Sequence, residues 1–525
     1  MFKIEIATAI RQTLKQGYNF YKFKSDLLAG FIISLISLPL AMAYSIAVGL
    51  PPATGIYTSI VAGFFTSLLG GAKYQISGPA GAFIVILAPI VSKYGLNGLI
   101  LAQTIAALIM ILLAMTRTGS LVYFIPHPVV VGFTSGIAVV LIVISLQDIL
   151  GINIKLNGYL FTKLYVLAKN ITNINLPDIF ISISSILIIK NINKLKIKYL
   201  SKIPSFVLAI ISSILATLIF KHFGFTVQTI NDVANSGGGS GNPFKINQDF
   251  FEVIVSNFSF ETIPAVMPAA LVIGILAALE SLLAARMADN MTQTKHNPHS
   301  EIMGIGISNL LCAFIMGMPA TGALARTATN IRLGAKSPIA GMLCALFIYL
   351  YIFSFSSFLK YVPLSCLSAL LFTVAINMLH IEEVKQILKS RHKFDIIILL
   401  TAMLLTAIFD MIAGVSVAMF ISFFIKIFEI ANLTKIEIEH TPNSKLVNIS
   451  GTIFFANSTR IVNQLSRIVK GSTNSIIEIN FKNAILQDTT AIAEVINFNK
   501  TIDPSKVRIY LSKENQVMYD NFVDI

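Results

Sequence analysis

A proline and a glycine interrupt an apolar region at Met318-Pro319-Ala320-Thr321-Gly322-Ala323-Leu324-Ala325-Arg326-Thr327-Ala328, and a lone arginine follows them. This stretch narrows the choice of folds more than any other. Proline and glycine favour starting a helix here over running one through. A helix that begins at membrane depth leaves its first N–H groups unpartnered and sets the positive end of its dipole there. Such an end attracts an anion, and irregular backbone at that depth is tolerated only beside protein or a water-filled cavity. Ser77-Gly78-Pro79-Ala80-Gly81-Ala82-Phe83 has the same grammar. The two helix starts are expected to face each other across one anion site.

The surroundings are those of a membrane. Hydrophobic residues make up 55% of the 525 and charged residues 12%, the composition of a polytopic membrane protein with a soluble part. The net charge of +14 is assigned to lysine-rich cytoplasmic loops that fix orientation. Nucleic acid is not implied, because no basic run is interleaved with aromatics. Cys312, Cys344 and Cys366 fall in apolar segments and read as buried thiols. No phosphate loop and no hydrolase signature is present, so the chain does not read as an enzyme. His296 and His299, near Glu301, read as a solvated polar loop and not as a metal site.

Residues 1–26 form a polar amphipathic segment with Lys3, Arg11, Lys15, Lys22 and Lys24, read as an interfacial helix and not as a signal peptide. Residues 27–432 divide into segments of about 20 apolar residues, fewer where a helix is broken. Fourteen spans are expected. The first, about 27–48, is expected to break near Pro39; the third, about 79–92, and the tenth, about 320–332, are half helices. With a cytoplasmic N-terminus, about twenty Lys and Arg fall in inner loops and about seven in outer ones. A flexible polar loop containing Gly237-Gly238-Gly239-Ser240-Gly241 then lies outside.

The halves answer each other. Pro79-Ala80-Gly81-Ala82 matches Pro319-Ala320-Thr321-Gly322-Ala323, and Tyr123-Phe124-Ile125-Pro126 matches Lys360-Tyr361-Val362-Pro363, at an offset of about 240 residues both times. Seven spans per half is odd, so the halves must lie inverted. The expected fold is an all-α membrane domain of fourteen spans in a seven-plus-seven inverted repeat with two half helices, followed by a small α/β domain at 433–525. In that tail, Lys445–Ser450, Thr452–Phe455, Ser475–Phe481 and Lys506–Leu511 alternate like strands, with helical patterns at 457–469 and 489–500 between them. Asp488 reads as the cap of the second helix.

Several residues carry the expected chemistry. Arg326, costly at this depth unless paired or facing the interior, attracts or binds the anion, or pairs with Glu280. Thr321 and the N–H groups of Gly322, Ala323, Leu324 and Ala325 would supply donors. Ala80 and Gly81 would contact the anion through backbone alone. Tyr44 reads as an aromatic wall of the site or as a packed interfacial ring. Glu280, a carboxyl among apolar neighbours, would carry a coupling proton or neutralise a bound cation, or else hold its helix to the tenth span.

Phe124-Ile125-Pro126-His127-Pro128-Val129-Val130-Val131-Gly132-Phe133-Thr134-Ser135-Gly136 and the run from Leu279 through Gly341 resemble the sulfate permease family of anion transporters. The tail resembles that family's STAS domain, with Asp488-Thr489-Thr490-Ala491 where an Asp-Ser-Thr-Gly-type motif is usual. The resemblance implies a core domain moving against a gate domain, with a site between the third and tenth spans. It also implies a homodimer, a tail open to a cytoplasmic regulator, and Arg326 and Glu280 at positions of anion field and ion coupling. Leu40 stands where many members carry glutamine, and Ala491 where glycine is usual. The expected activity is symport of sulfate or bicarbonate, and after them a dicarboxylate, driven by protons or sodium across a bacterial inner membrane, with both termini cytoplasmic. An anion channel, an exchanger, a nucleobase permease and a membrane-anchored regulatory protein are the alternatives.

Overall fold

The computed structural model describes residues 5–117, 126–152, 154, 156, 158–192, 204–232, 262–390, 392–409, 411–440, 444–472 and 476–523. The glycine-rich loop at 237–241 and the Tyr123–Ile125 part of the second landmark lie outside them. The chain divides into two compact units, Met1–Ala418 and Met419–Ile525.

Helix falls on every one of the fourteen expected segments. The first is α2 (Phe20–Val48), capped by the Asn19 side chain at one end and by Gly49 in the left-handed region at the other. It runs through Pro39 unbroken, so the expected break does not occur. Packing on both sides holds the helix where proline removes one hydrogen bond. Next come α3 (Pro52–Leu69) and α4 (Ile84–Met115), which joins the third and fourth segments through a kink at Gly95, φ 61°. Then follow α5 (His127–Ile149), a short amphipathic α6 (Leu160–Lys169), α7 (Leu176–Asn191) and α8 (Ser205–His222).

The second half contains α9 (Ile263–Thr292), α10 (Pro298–Phe314), α11 (Leu324–Arg332), α12 (Ile339–Leu359) and α13 (Leu364–Met378). A second short amphipathic helix, α14 (Ile381–Lys389), precedes α15 (Lys393–Ile408) and α16 (Met411–Leu433). Among the described residues, nine helices are long and apolar enough to cross a membrane. Pro126 and Pro363, the surviving ends of the paired landmarks, cap α5 and α13 in the same extended conformation.

The halves interleave. Helices α2, α3 and α4 pack with α9, α10 and α12 into one bundle, while α5, α7, α8, α13 and α15 form another. Between α3 and α4, Ser77–Pro79 forms strand β1; ahead of α11, Ala320–Gly322 forms β2. The two pair antiparallel, Ser77 opposite Gly322, Gly78 opposite Thr321 and Pro79 opposite Ala320.

The N-terminal segment is not simply interfacial. Helix α1 (Thr8–Lys15) buries Ala9 and Thr13, and the Ala7 N–H donates to Leu69 O at 2.6 Å. The Thr8 N–H reaches Ser300 Oγ at 3.3 Å, so α1 is fastened to the ends of α3 and α10.

In the second unit, strands β3 (Lys435–His440), β4 (Ser444–Ile453), β5 (Ile476–Leu486) and β6 (Val507–Tyr510) form one sheet in that order. The first pairing is antiparallel and the other two parallel. Helices α17 (Ser458–Lys470), α18 (Thr489–Thr501) and α19 (Lys513–Val523) complete the domain. The core is Val447, Ile449, Leu465, Ile479, Phe481 and Val495. Asp488 caps α18, accepting from the Ala491 N–H at 2.8 Å. Arg460 and Asn457 donate to Ala431 O at 2.6 and 3.2 Å, satisfying an open carbonyl at the end of α16.

Candidate functional site

The antiparallel β1–β2 pairing ties together the segments that lead into the two half helices. Each begins with free donors. In α11 the first intrahelical bond is from the Thr327 N–H to Ala323 O, and the N–H groups of Leu324, Ala325 and Arg326 have no partner among the described residues. Ahead of α4, a single 3-10 turn, Gly81–Phe83, leaves the N–H groups of Gly81 and Ala82 in the same condition. Two positive dipole ends thus converge on one place.

Arg326 joins them. It is 6% exposed, and its Nη2 donates to Pro79 O at 2.9 Å, reaching from the second half helix onto the strand that opens the first. That bond uses one of five N–H donors. A Cβ on Gly78 would lie 2.9 Å from Nη1, so a side chain there would push the guanidinium aside. Tyr44, on α2, packs its ring on Gly81, where a Cβ would meet Cε1 at 3.3 Å. Tyr44, Ala80, Gly81, Leu324, Ala325 and Arg326 are therefore brought together.

Three expectations are corrected. Thr321 Oγ1 donates to Ala277 O at 2.9 Å, so its hydroxyl pins β2 to α9 and is not a free donor. The Ala323 N–H is spent on Ile76 O at 2.9 Å, extending the strand pairing. Among the described residues Arg326 and Glu280 form no ion pair; Glu280, half-buried on α9, has no hydrogen-bond partner at all. Gly322 lies against Gln75, which occupies the space a side chain there would need.

Sequence reasoning missed the scaffold beneath. Glu301, 1% exposed, accepts from the N–H groups of Gly71 (2.9 Å) and Ala72 (2.8 Å), from Gln75 Nε2 (2.6 Å) and from Ser281 Oγ (3.1 Å). Gln75 Nε2 also donates to Ser281 Oγ at 2.6 Å. Asn309 grips Ala320 from both sides, its Oδ1 accepting from the N–H at 2.8 Å and its Nδ2 donating to the carbonyl at 2.9 Å. Thr58 Oγ1 accepts from the Met318 N–H, Thr327 Oγ1 from the Ile76 N–H, and Asn330 Nδ2 donates to Tyr74 O. The available signal was polar side chains inside apolar spans. His296, expected in a solvated loop, is half-buried and bonded to Asp289 Oδ2 at 2.7 Å. No group of three or more metal-ligating side chains occurs among the described residues.

Comparison with known proteins adds a separate line. Residues 23–402 match the model of the sulfate permease family, and residues 435–523 that of the STAS domain. "Putative sulfate transporter YvdB" of Bacillus subtilis (strain 168) is 32% identical over 497 residues, 93% of this chain and 91% of that one. "Bicarbonate transporter BicA" of Picosynechococcus sp. is 25% identical over 424 residues, 79% and 72% of the two chains. The murine Slc26a9 anion transporter in the inward-facing state shares the fold, with TM-score 0.85 at 17% identity over 98% of this chain and 90% of that one.

Proposed function

The chain belongs to the sulfate permease family of anion transporters, as an integral membrane protein carrying a STAS domain, and from that premise we propose that it is a secondary active transporter of sulfate or bicarbonate. A dicarboxylate comes after these two. The observation that carries the reading is the crossing of β1 and β2, which sets five unpartnered helix-start N–H groups and the Arg326 guanidinium around one point. An oxyanion there would accept backbone donors from Gly81, Ala82, Leu324 and Ala325 while the arginine supplies charge. Neutral cargo would leave the guanidinium uncompensated.

Glu280 is the coupling group in this reading. A carboxyl without donors in an apolar bundle needs either a proton or a cation beside it. Binding of that positive charge together with the anion would make the loaded site nearly neutral, the state in which it crosses the bilayer by alternating access. Symport follows. The proposed setting is a bacterial inner membrane with both termini cytoplasmic, the chain acting as a homodimer whose tail can receive a cytoplasmic regulator.

The test is uptake of labelled sulfate, bicarbonate and succinate by reconstituted protein under imposed proton and sodium gradients. Saturable uptake of one anion, driven by one gradient, is the expected result. Flux that ignores both gradients and does not saturate would identify a channel; flux that requires an anion inside would identify an exchanger.

A further inference from the structure

One side of the anion site is closed by carbon. At Gly81, which opens the 3-10 turn ahead of α4, a Cβ would lie 3.3 Å from Tyr44 Cε1, 3.7 Å from Tyr44 Cζ and 3.5 Å from Leu141 Cδ1. Two side chains thus fill the space that a side chain on Gly81 would need. Tyr44 comes from α2, in the bundle of the crossing. Leu141 comes from α5, in the other bundle. It is fully buried, and Tyr44 is 6% exposed. Helix α5 packs on the Gly81–Phe83 turn and on α4, so the leucine sits in the seam where the two bundles meet. Nothing in an apolar span marks one leucine out; only the packing does.

The two sides of the site differ in chemistry. Helix-start N–H groups and the Arg326 guanidinium make up one. On the other, the atoms against Gly81 are a methyl and the edge of a ring, which neither donate nor accept a hydrogen bond. A small oxyanion can turn its oxygens to the first side. A dicarboxylate carries a second charged group on a carbon spacer. Placed against Leu141 and Tyr44, that group would lose its hydration and gain no donor. Because Leu141 arrives from the other bundle, the wall is complete only while α5 lies against the turn.

We propose that Leu141 is a specificity-determining residue: with Tyr44 it closes the Gly81 side of the site, admits a small inorganic oxyanion and excludes dicarboxylates. The proposal rests on the anion site argued above and narrows its cargo. Leu141 acts by its volume. Truncation to alanine removes the branched end of the side chain and extends the site toward α5.

The test is binding to the purified full chain, read as the rise in Tm with sulfate, bicarbonate or succinate at constant ionic strength. Arg326→Ala supplies the baseline for general effects of salt. The parent should respond to sulfate or bicarbonate and not to succinate. Leu141→Ala should gain a succinate response, with the half-saturating concentration of succinate falling about tenfold or more relative to that of the inorganic anion. Leu141→Met keeps the volume and should behave as the parent. Leu141→Val removes less and should fall between the parent and Leu141→Ala; it keeps the question answerable if the alanine cavity prevents folding. Uptake of labelled succinate by the reconstituted variants should follow the same order. A parent that answers succinate as strongly as the inorganic anions overturns the proposal and leaves the anion site standing. So does an unchanged ratio of responses across the parent, Leu141→Val and Leu141→Ala. A parent that answers none of the three anions overturns the anion reading itself, and this proposal with it.

Discussion

Glu280 on α9 and Glu301 on the neighbouring α10 are treated in opposite ways by the fold. Glu301 receives four donors from two segments, the α3–β1 connection and α9, and is closed off from solvent. In that surrounding the carboxylate's negative charge is met by fixed dipoles and the start of its own helix. Glu280 receives none. The same functional group is a structural rivet in one place and an unanswered valence in the other. A carboxyl left without partners inside a packed bundle costs free energy unless a proton or a cation completes it, which marks Glu280 off from the support around Glu301.

The comparison can be broken most directly at the rivet. Glu301→Ala leaves the Gly71 and Ala72 N–H groups facing nothing, each costing about 1–3 kcal/mol, and strips one acceptor from Gln75 and Ser281. No monodisperse protein should survive detergent extraction, and a well-behaved gel-filtration peak would show that the network is dispensable. Arg326→Ala should instead give folded protein with no measurable uptake; wild-type rates would remove the guanidinium from the anion site. Glu280→Gln should fold as well as the parent and lose only its dependence on an ion gradient, which paired uptake assays with and without the gradient would report. Gly78→Ala should push the guanidinium off Pro79 O, costing about 1–3 kcal/mol by overpacking and slowing uptake without abolishing it. Asp488→Ala, in the tail, should cost about 1 kcal/mol, seen as faster hydrogen exchange at the start of α18 while uptake holds.

The membrane helices were legible because long apolar runs carry their own signal, and the half helices because proline and glycine mark a forced start. Arg326 and Glu280 were legible as charges where charge is expensive. The support was not. Glu301 lay beside two histidines in what reads as a polar loop, and nothing local tells that its carboxylate turns inward to the α3–β1 connection more than 200 residues back. Thr321 looked like a donor to cargo because its partner, Ala277 O, is a backbone group that no side-chain pattern reveals. Pro39 looked like a break, yet packing on both sides keeps α2 intact. In the tail, β3 is missing from the expected strands, and Lys445–Ser450 and Thr452–Ile453 merge into one strand, β4. Short amphipathic helices such as α6 and α14 fall below the length at which apolar content speaks.

The three-rung ladder between Ser77–Pro79 and Ala320–Gly322 has a mechanical consequence. Neither half helix can slide past the other without stripping hydrogen bonds in a place where no water replaces them. The two pincers that would grip a passenger are welded at the root, and the Arg326 bond to Pro79 O is a second seam. Any journey from one face of the membrane to the other must therefore carry both pincers as a single casting, with the gap between them constant along the route.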